Sequence, residues 1–135
     1  MQQFCEQLVD WLRDVVSKAK AKGAVFGMSG GLDSSVVSVI CKKSFQDEVL
    51  GLIMPCYSDK SDEIDAIMVA EKFDINYKVI NLDSIYDQFL NTLDRTNNNM
   101  AKANLKPRLR MMTLYYYASI NNYLVVGAEN KSELA

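Results

Sequence analysis

The chain contains no histidine. That absence removes the side chain that titrates nearest neutral pH, and with it the Ser-His-Asp triad and most zinc sites. Cysteine is scarce too: Cys5, Cys41 and Cys56 lie far apart and form no C-x-x-C pair. The N-terminus, MQQFCEQLVDWLRDVV, has acids and a helical period in place of a signal peptide's apolar block. An odd number of separated cysteines behind such a start reads as reduced, buried thiols in a cytoplasmic protein. No apolar run is long enough to cross a bilayer. A strong charge bias is also missing. With 24% charged residues and a formal net charge of −2, neither nucleic acid nor a membrane is an expected partner.

What is present fits a globular chain. Its 135 residues, 49% of them apolar, are read as a single domain over 1–135 with no internal repeat. Two hydrophobic periods alternate along it. Phe4, Leu8, Trp11, Leu12, Val15, Val16 and Ala19 recur at helical spacing, and Gly23 is the expected stop. Strand-length apolar runs follow at 24–28 (AVFGM), 48–55 (EVLGLIMP), 76–82 (NYKVINL) and 123–128 (YLVVGA). Helical spacing fills the intervals at 33–43, 62–73, 84–93 and 107–121, and the polar stretch 94–104 (DRTNNNMAKAN) is the expected loop. Strands separated by helices of this length imply βαβ units, hence a three-layer α/β/α sandwich around a parallel sheet.

Residues 26–37, FGMSGGLDSSVV, fall between the first strand and the next helix. In open α/β sheets that carboxyl edge is where ligands bind. Gly30 and Gly31 permit backbone shapes a Cβ forbids and let a ligand approach closely. The start of the following helix offers free N–H groups and a positive dipole end, which suit an anion. Ser29, Ser34 and Ser35 add hydroxyl donors. Asp33 would repel a phosphate unless it holds a Mg²⁺ ion that bridges to it. The stretch therefore reads as a cradle for a metal-bound polyphosphate. The plainer reading is a Ser-Gly-Gly turn with a Ser or Asp helix cap. Both G-x-G-x-x-G and G-x-x-x-x-G-K-[ST] are absent.

The run SGGLDSS resembles the S-G-G-x-D-S pyrophosphate loop of the N-type ATP pyrophosphatases, which adenylylate a substrate and release pyrophosphate. Two later stretches narrow the likeness. NLKPRLRMM (104–112) resembles the N-x-K-A-R-x-R-M segment of NAD synthetases, and VVGAENKSEL (125–134) resembles their V-x-G-T-x-N-K-S-E segment. The separation of the two segments is similar as well, so the chain resembles the N-terminal part of an ammonia-dependent NAD synthetase over nearly its whole length.

The resemblance implies an adenine nucleotide alpha hydrolase-like, Rossmann-like fold. It also implies a ligase that forms a C–N bond, with ATP as co-substrate and Mg²⁺ as cofactor. Deamido-NAD would be amidated with ammonia through an adenylate, giving NAD, AMP and pyrophosphate. Gly27, Met28, Ser29, Gly30, Gly31, Leu32, Asp33 and Ser34 match the family's ATP loop. Asp33 and Glu133 match its metal ligands, and Arg108 its deamido-NAD-binding arginine. Ala128 stands where the family has an ATP-binding threonine, and Pro107 where it usually has alanine. No residue is assigned as nucleophile or base. A homodimer is expected, with the LYYYA aromatics (114–118) in the core or at the subunit interface. Taken alone, Arg108 and Arg110 on a helix read as solvated charges, and the motif context reverses that reading. The nitrogen source would be free ammonia, with a separate glutaminase as its conceivable supplier. Because the family continues beyond N-K-S-E, the domain reads as truncated at its C-terminus, binding nucleotide but making little NAD alone. Two other readings stay open: another N-type ATP pyrophosphatase, such as a GMP or asparagine synthetase, and a non-catalytic nucleotide-binding or dimerising remnant.

Overall fold

The computed structural model describes residues 2–127. In chain order the elements are α1 (Gln2–Lys18), β1 (Gly23–Gly27), α2 (Leu32–Phe45), β2 (Val49–Ile53), α3 (Lys60–Lys72), β3 (Tyr77–Val79), α4 (Asp83–Thr92), α5 (Asn99–Ala103), α6 (Leu105–Asn121) and β4 (Tyr123–Val125). Four strands form one parallel sheet in the order β3-β2-β1-β4. Ala24 lies opposite Val49, and Val25 opposite both Leu50 and Val125.

Side-chain alternation divides the core into two layers, because successive Cβ atoms of a strand point to opposite faces. Ala24 and Phe26 of β1 and Val49 and Ile53 of β2 pack with Leu12 of α1, Cys41 of α2 and Ala66 and Ala70 of α3. Val25, Leu50 and Leu52 face the other way, onto Leu82, Tyr86 of α4 and Leu114 and Ala118 of α6. Helices thus cover both faces of the sheet, giving the expected α/β/α sandwich. Both central strands are buried along nearly their whole length. That explains why they read as continuous apolar runs and not as alternating ones.

The structure departs from the sequence reading in three places. Gly23 opens β1 and does not stop α1, which ends at Lys18; a Cβ at Gly23 would strike the backbone oxygen of Glu48 on the neighbouring chain segment. Stretch 94–104 holds a short helix, α5, capped by the Asn98 side chain, which accepts a hydrogen bond from Ala101 N at 3.1 Å. Its five residues, NMAKA, are too few to show a period, and none of them is buried. Finally, α6 begins at Leu105, so Pro107 sits inside the first turn, where its missing N–H costs no helical bond.

Candidate functional site

The loop between β1 and α2 lies at the carboxyl edge of the sheet, next to the ends of β2 and β4. Met28 is buried, and its N–H donates to Leu52 O at 2.8 Å, so the loop leaves the sheet from a fixed point. Ser34 then folds the loop back: its Oγ accepts from Ser29 N at 3.0 Å and donates to Gly27 O at 3.3 Å. Gly30 has φ +84°, and a Cβ there would come within 2.6 Å of Asp62 O at the start of α3. The left-handed backbone and the close approach both demand glycine.

Gly31 is the N-cap of α2, and no side chain caps it. The plain turn-and-cap reading therefore does not hold, since neither Ser29 nor Asp33 is used as a helix cap. Leu32, Asp33 and Ser34 at the head of α2 carry N–H groups with no hydrogen-bond partner among the described residues. Such groups, at the positive end of a helix dipole, are the usual anion seat. The expected hydroxyl donors are a partial correction: Ser34 Oγ donates to Gly27 O and Ser35 Oγ to Gly31 O at 2.9 Å, so both are committed to the fold. Ser29 Oγ accepts from Gly31 N at 3.4 Å and keeps its own proton for a ligand. Leu32 and Asp33 are exposed, and Asp33 forms no ion pair among the described residues.

Two clefts flank this loop and share Gly27, Ser29 and Leu114. The first, about 400 Å³, is walled by Leu52–Pro55 at the end of β2, Ser58, Asp62 and Glu63 of α3, and Arg110. The second, about 510 Å³, is walled by the head of α2 with Asp33, by Pro107 and Met111 of α6, and by Val125–Gly127. An exposed carboxylate such as Asp33 at the mouth of an anion seat suits a hard cation completed by phosphate and water oxygens. No group of three or more His, Cys, Asp or Glu able to hold a metal occurs among the described residues. Glu133, the other expected ligand, and Ala128 lie outside the described residues.

Arg108 is not brought to either cleft. It is exposed on the outer side of α6, donates to Asn104 O at 3.0 Å, and borders a shallow groove with Met111, Met112, Tyr115, Tyr116 and Ser119. Arg110 is brought there instead, so it is not the solvated charge that its residue type taken alone suggests. Its Nε donates to Met54 O at 2.9 Å and its Nη2 to Ser58 Oγ at 3.3 Å. A signal for this was present in the sequence: Arg110, Leu114 and Ala118 recur every four residues, and the last two are buried. A charge on that stripe must face inward.

Cys56 lies buried in the turn after β2. Burial pushes its thiol up from the ordinary value, opposed by the charges of Arg110 and Lys106. Burial alone pushes Cys41 up to about 12. Cys41 and Cys56 are buried, as expected of all three cysteines, whereas Cys5 is only partly buried.

Residues 4–135 match the family model described as NAD synthase. The NH(3)-dependent NAD(+) synthetase of Finegoldia magna is 46% identical over 131 residues, which is 97% of this chain and 54% of that protein. The enzyme of the same name from Carboxydothermus hydrogenoformans is 47% identical, over 96% of this chain and 55% of its own length. Among solved structures, the NH3-dependent NAD synthetase of Campylobacter jejuni, in complex with nitrate ion, superposes with a TM-score of 0.88 at 35% identity, covering 98% of this chain and 58% of that one. The NMN synthetase of Francisella tularensis superposes equally well, with a TM-score of 0.88 at 32% identity over 95% of this chain and 54% of that one. This chain thus spans about half the length of the relatives it matches. The family-model match over residues 4–135, with these identities and superpositions, shows that the chain belongs to the NAD synthase family and has its adenine nucleotide alpha hydrolase-like fold.

Proposed function

We propose that this chain forms the nucleotide-binding half of an ammonia-dependent NAD synthetase, a ligase that amidates deamido-NAD at the expense of ATP. The observation that carries the reading is the Gly27–Ser34 loop: it closes on itself through Ser34, turns through Gly30, and leaves the N–H groups of α2 unpaired. Those N–H groups and the Ser29 hydroxyl take the terminal phosphates of ATP. Asp33 and Glu133 would hold Mg²⁺, which when bound neutralises polyphosphate charge and steadies the leaving pyrophosphate.

The two clefts divide the reactants. The first, with apolar Leu52, Ile53, Met54, Pro55 and Leu114, suits a nucleoside; the second admits the acceptor to the α-phosphate. A carboxylate oxygen of deamido-NAD attacks that phosphorus, the bond to the bridging oxygen breaks, and pyrophosphate departs. Ammonia then attacks the acyl carbon, AMP leaves with the bonding pair, and one proton passes to solvent. Neither step needs a side-chain nucleophile, in keeping with a chain that has no histidine. The protein's part is positioning and charge compensation. Met111 borders both the second cleft and the groove of Arg108, so a dinucleotide acceptor running from cleft to groove would reach that arginine. Ala128 supplies no hydroxyl to the nucleotide. A second copy of the chain would cover the outer face of α6. The reactants suit the cytoplasm.

Because one structural neighbour is named NMN synthetase, the acceptor is tested in two arms. Chain loaded with a non-cleavable Mg-ATP analogue is titrated with deamido-NAD and, separately, with nicotinate mononucleotide. Tighter binding of the dinucleotide is expected. Preference for the mononucleotide would reassign the acceptor, and failure to bind the ATP analogue would overturn the reading.

A further inference from the structure

One cation in the first cleft is held by backbone and hydroxyl oxygens and not by an acid. Arg110, on α6, spans 56 residues of sequence to reach Met54 O and 52 to reach Ser58 Oγ. No carboxylate lies within 4.0 Å of it among the described residues. Ser58 Oγ also accepts from Cys56 N at 3.2 Å, so a single hydroxyl gathers the turn and the guanidinium together. The turn itself is not relaxed: Tyr57 sits at φ 52°, a left-handed conformation unusual for an aromatic residue. It is held from its other side by α4, where Asp83 Oδ1 accepts from Tyr57 N at 2.6 Å and Asp87 accepts from the Tyr57 hydroxyl.

We propose that Arg110 is a positioning residue of the nucleotide site: by tying α6 to Met54 and Ser58 it fixes the wall of the cleft that receives the nucleoside end of ATP. The inference rests on the nucleotide reading above. Two donors of a rigid planar fork meet two acceptors four residues apart, a pattern an ammonium on a flexible stem cannot reproduce. Without the fork, Met54 O loses its partner in a half-closed site, and the 55–58 turn is left to the pull of α4 alone. The phosphate loop does not depend on Arg110, since its own bonds run through Ser34, Gly27 and Ser29. The residue therefore acts on the nucleoside part of a ligand and leaves the phosphate part untouched.

Calorimetric titration separates the possibilities, with Mg-ATP, AMP and Mg-pyrophosphate as probes on the wild-type chain, Arg110→Lys and Ser58→Ala. Arg110→Lys keeps the charge and loses the fork. It should weaken ATP and AMP on the order of tenfold, as expected when a charged hydrogen-bonding group is lost. Mg-pyrophosphate affinity should stay within about twofold, since the loop keeps its own hydrogen bonds. Ser58→Ala should weaken AMP less, and adding it to Arg110→Lys should cost less than it does alone, because the two share one bond. If Arg110→Lys binds AMP as the wild type does, the inference fails while the nucleotide reading stands. If it loses AMP and pyrophosphate together with a lowered melting temperature, Arg110 is merely structural and the inference fails. A wild-type chain that binds none of the three probes would instead overturn the nucleotide reading.

Discussion

Gly30 shows how much one residue can settle in this loop. Its φ of +84° disfavours any side chain, and a Cβ would meet Asp62 O at 2.6 Å. Gly30→Ala is expected to cost about 1–3 kcal/mol of stability, the usual range for such strain. A urea titration would measure the loss, and the displaced loop should lose Mg-ATP affinity as well. Cys41 supplies a second test. Its thiol is raised to about 12 from a value of 9.0 in the unfolded chain, so the fold favours the neutral form. The stability this gives is fully present below pH 9. It is lost as pH climbs toward 12, by about 1.4 kcal/mol per pH unit. The melting temperature of the wild type should fall more steeply above pH 9 than that of Cys41→Ala, and parallel curves would remove Cys41 from the account. At this scale the sequence was readable where backbone shape is tied to residue type: Gly30 stands at the left-handed turn of the loop, and Asp33 in the first turn of α2. The roles of Ser34 and Ser35 were not readable, because hydroxyl direction depends on tertiary geometry. Both hydroxyls turned inward, to Gly27 O and Gly31 O.

The two ends of helix α2 differ: the proposed phosphate seat lies at its head, and the fold closes its tail. Its head presents unpaired N–H groups beside Asp33, while its tail is closed by α1, where Arg13 donates from Nε to Ser44 O at 3.0 Å and from Nη2 to Lys43 O at 3.2 Å. A cation on terminal carbonyls both satisfies them and complements the dipole. Arg13→Ala should therefore lower stability by about 1 kcal/mol and leave Mg-ATP affinity unchanged. Denaturant melts and calorimetry on the same sample check both halves, and a large loss of affinity would contradict this separation. Helix α6 is divided around its circumference instead: Leu114 and Ala118 enter the core, Arg110 and Met111 face the clefts, and Met112, Tyr115 and Tyr116 stay exposed. Strands and long helices were legible because each buries a face and so leaves a period. Helix α5 buries nothing and left none. The residue type of Arg110, taken alone, points to solvent, and its inward placement shows only once its partners are known.

At the scale of the whole molecule, the exposed side of α6 is the surface on which the proposed homodimer rests. Met112 is 68% and Tyr116 64% exposed, beside the groove of Arg108. Contiguous apolar surface of this kind is costly in water and common at subunit interfaces. Sedimentation velocity is expected to show a dimer that Tyr116→Glu converts to monomer; a monomeric wild type would contradict the proposed homodimer. The layered architecture and the place of the loop were foreseeable from the alternation of periods alone, since a parallel sheet puts every strand's carboxyl end at one edge. The order β3-β2-β1-β4 and the pair of clefts were not, because strand neighbours are chosen by packing across the sheet. The account's central claim is that residues 27–34 cradle a Mg²⁺-bound polyphosphate with Asp33 at the metal. Calorimetric titration of ATP into the wild-type chain and Asp33→Ala, each with and without Mg²⁺, tests it most directly. Saturable binding that strengthens with Mg²⁺ in the wild type, and loses at least about tenfold along with that Mg²⁺ dependence in Asp33→Ala, is the predicted result. Equal affinities for the two proteins, or no dependence on the metal, would contradict it.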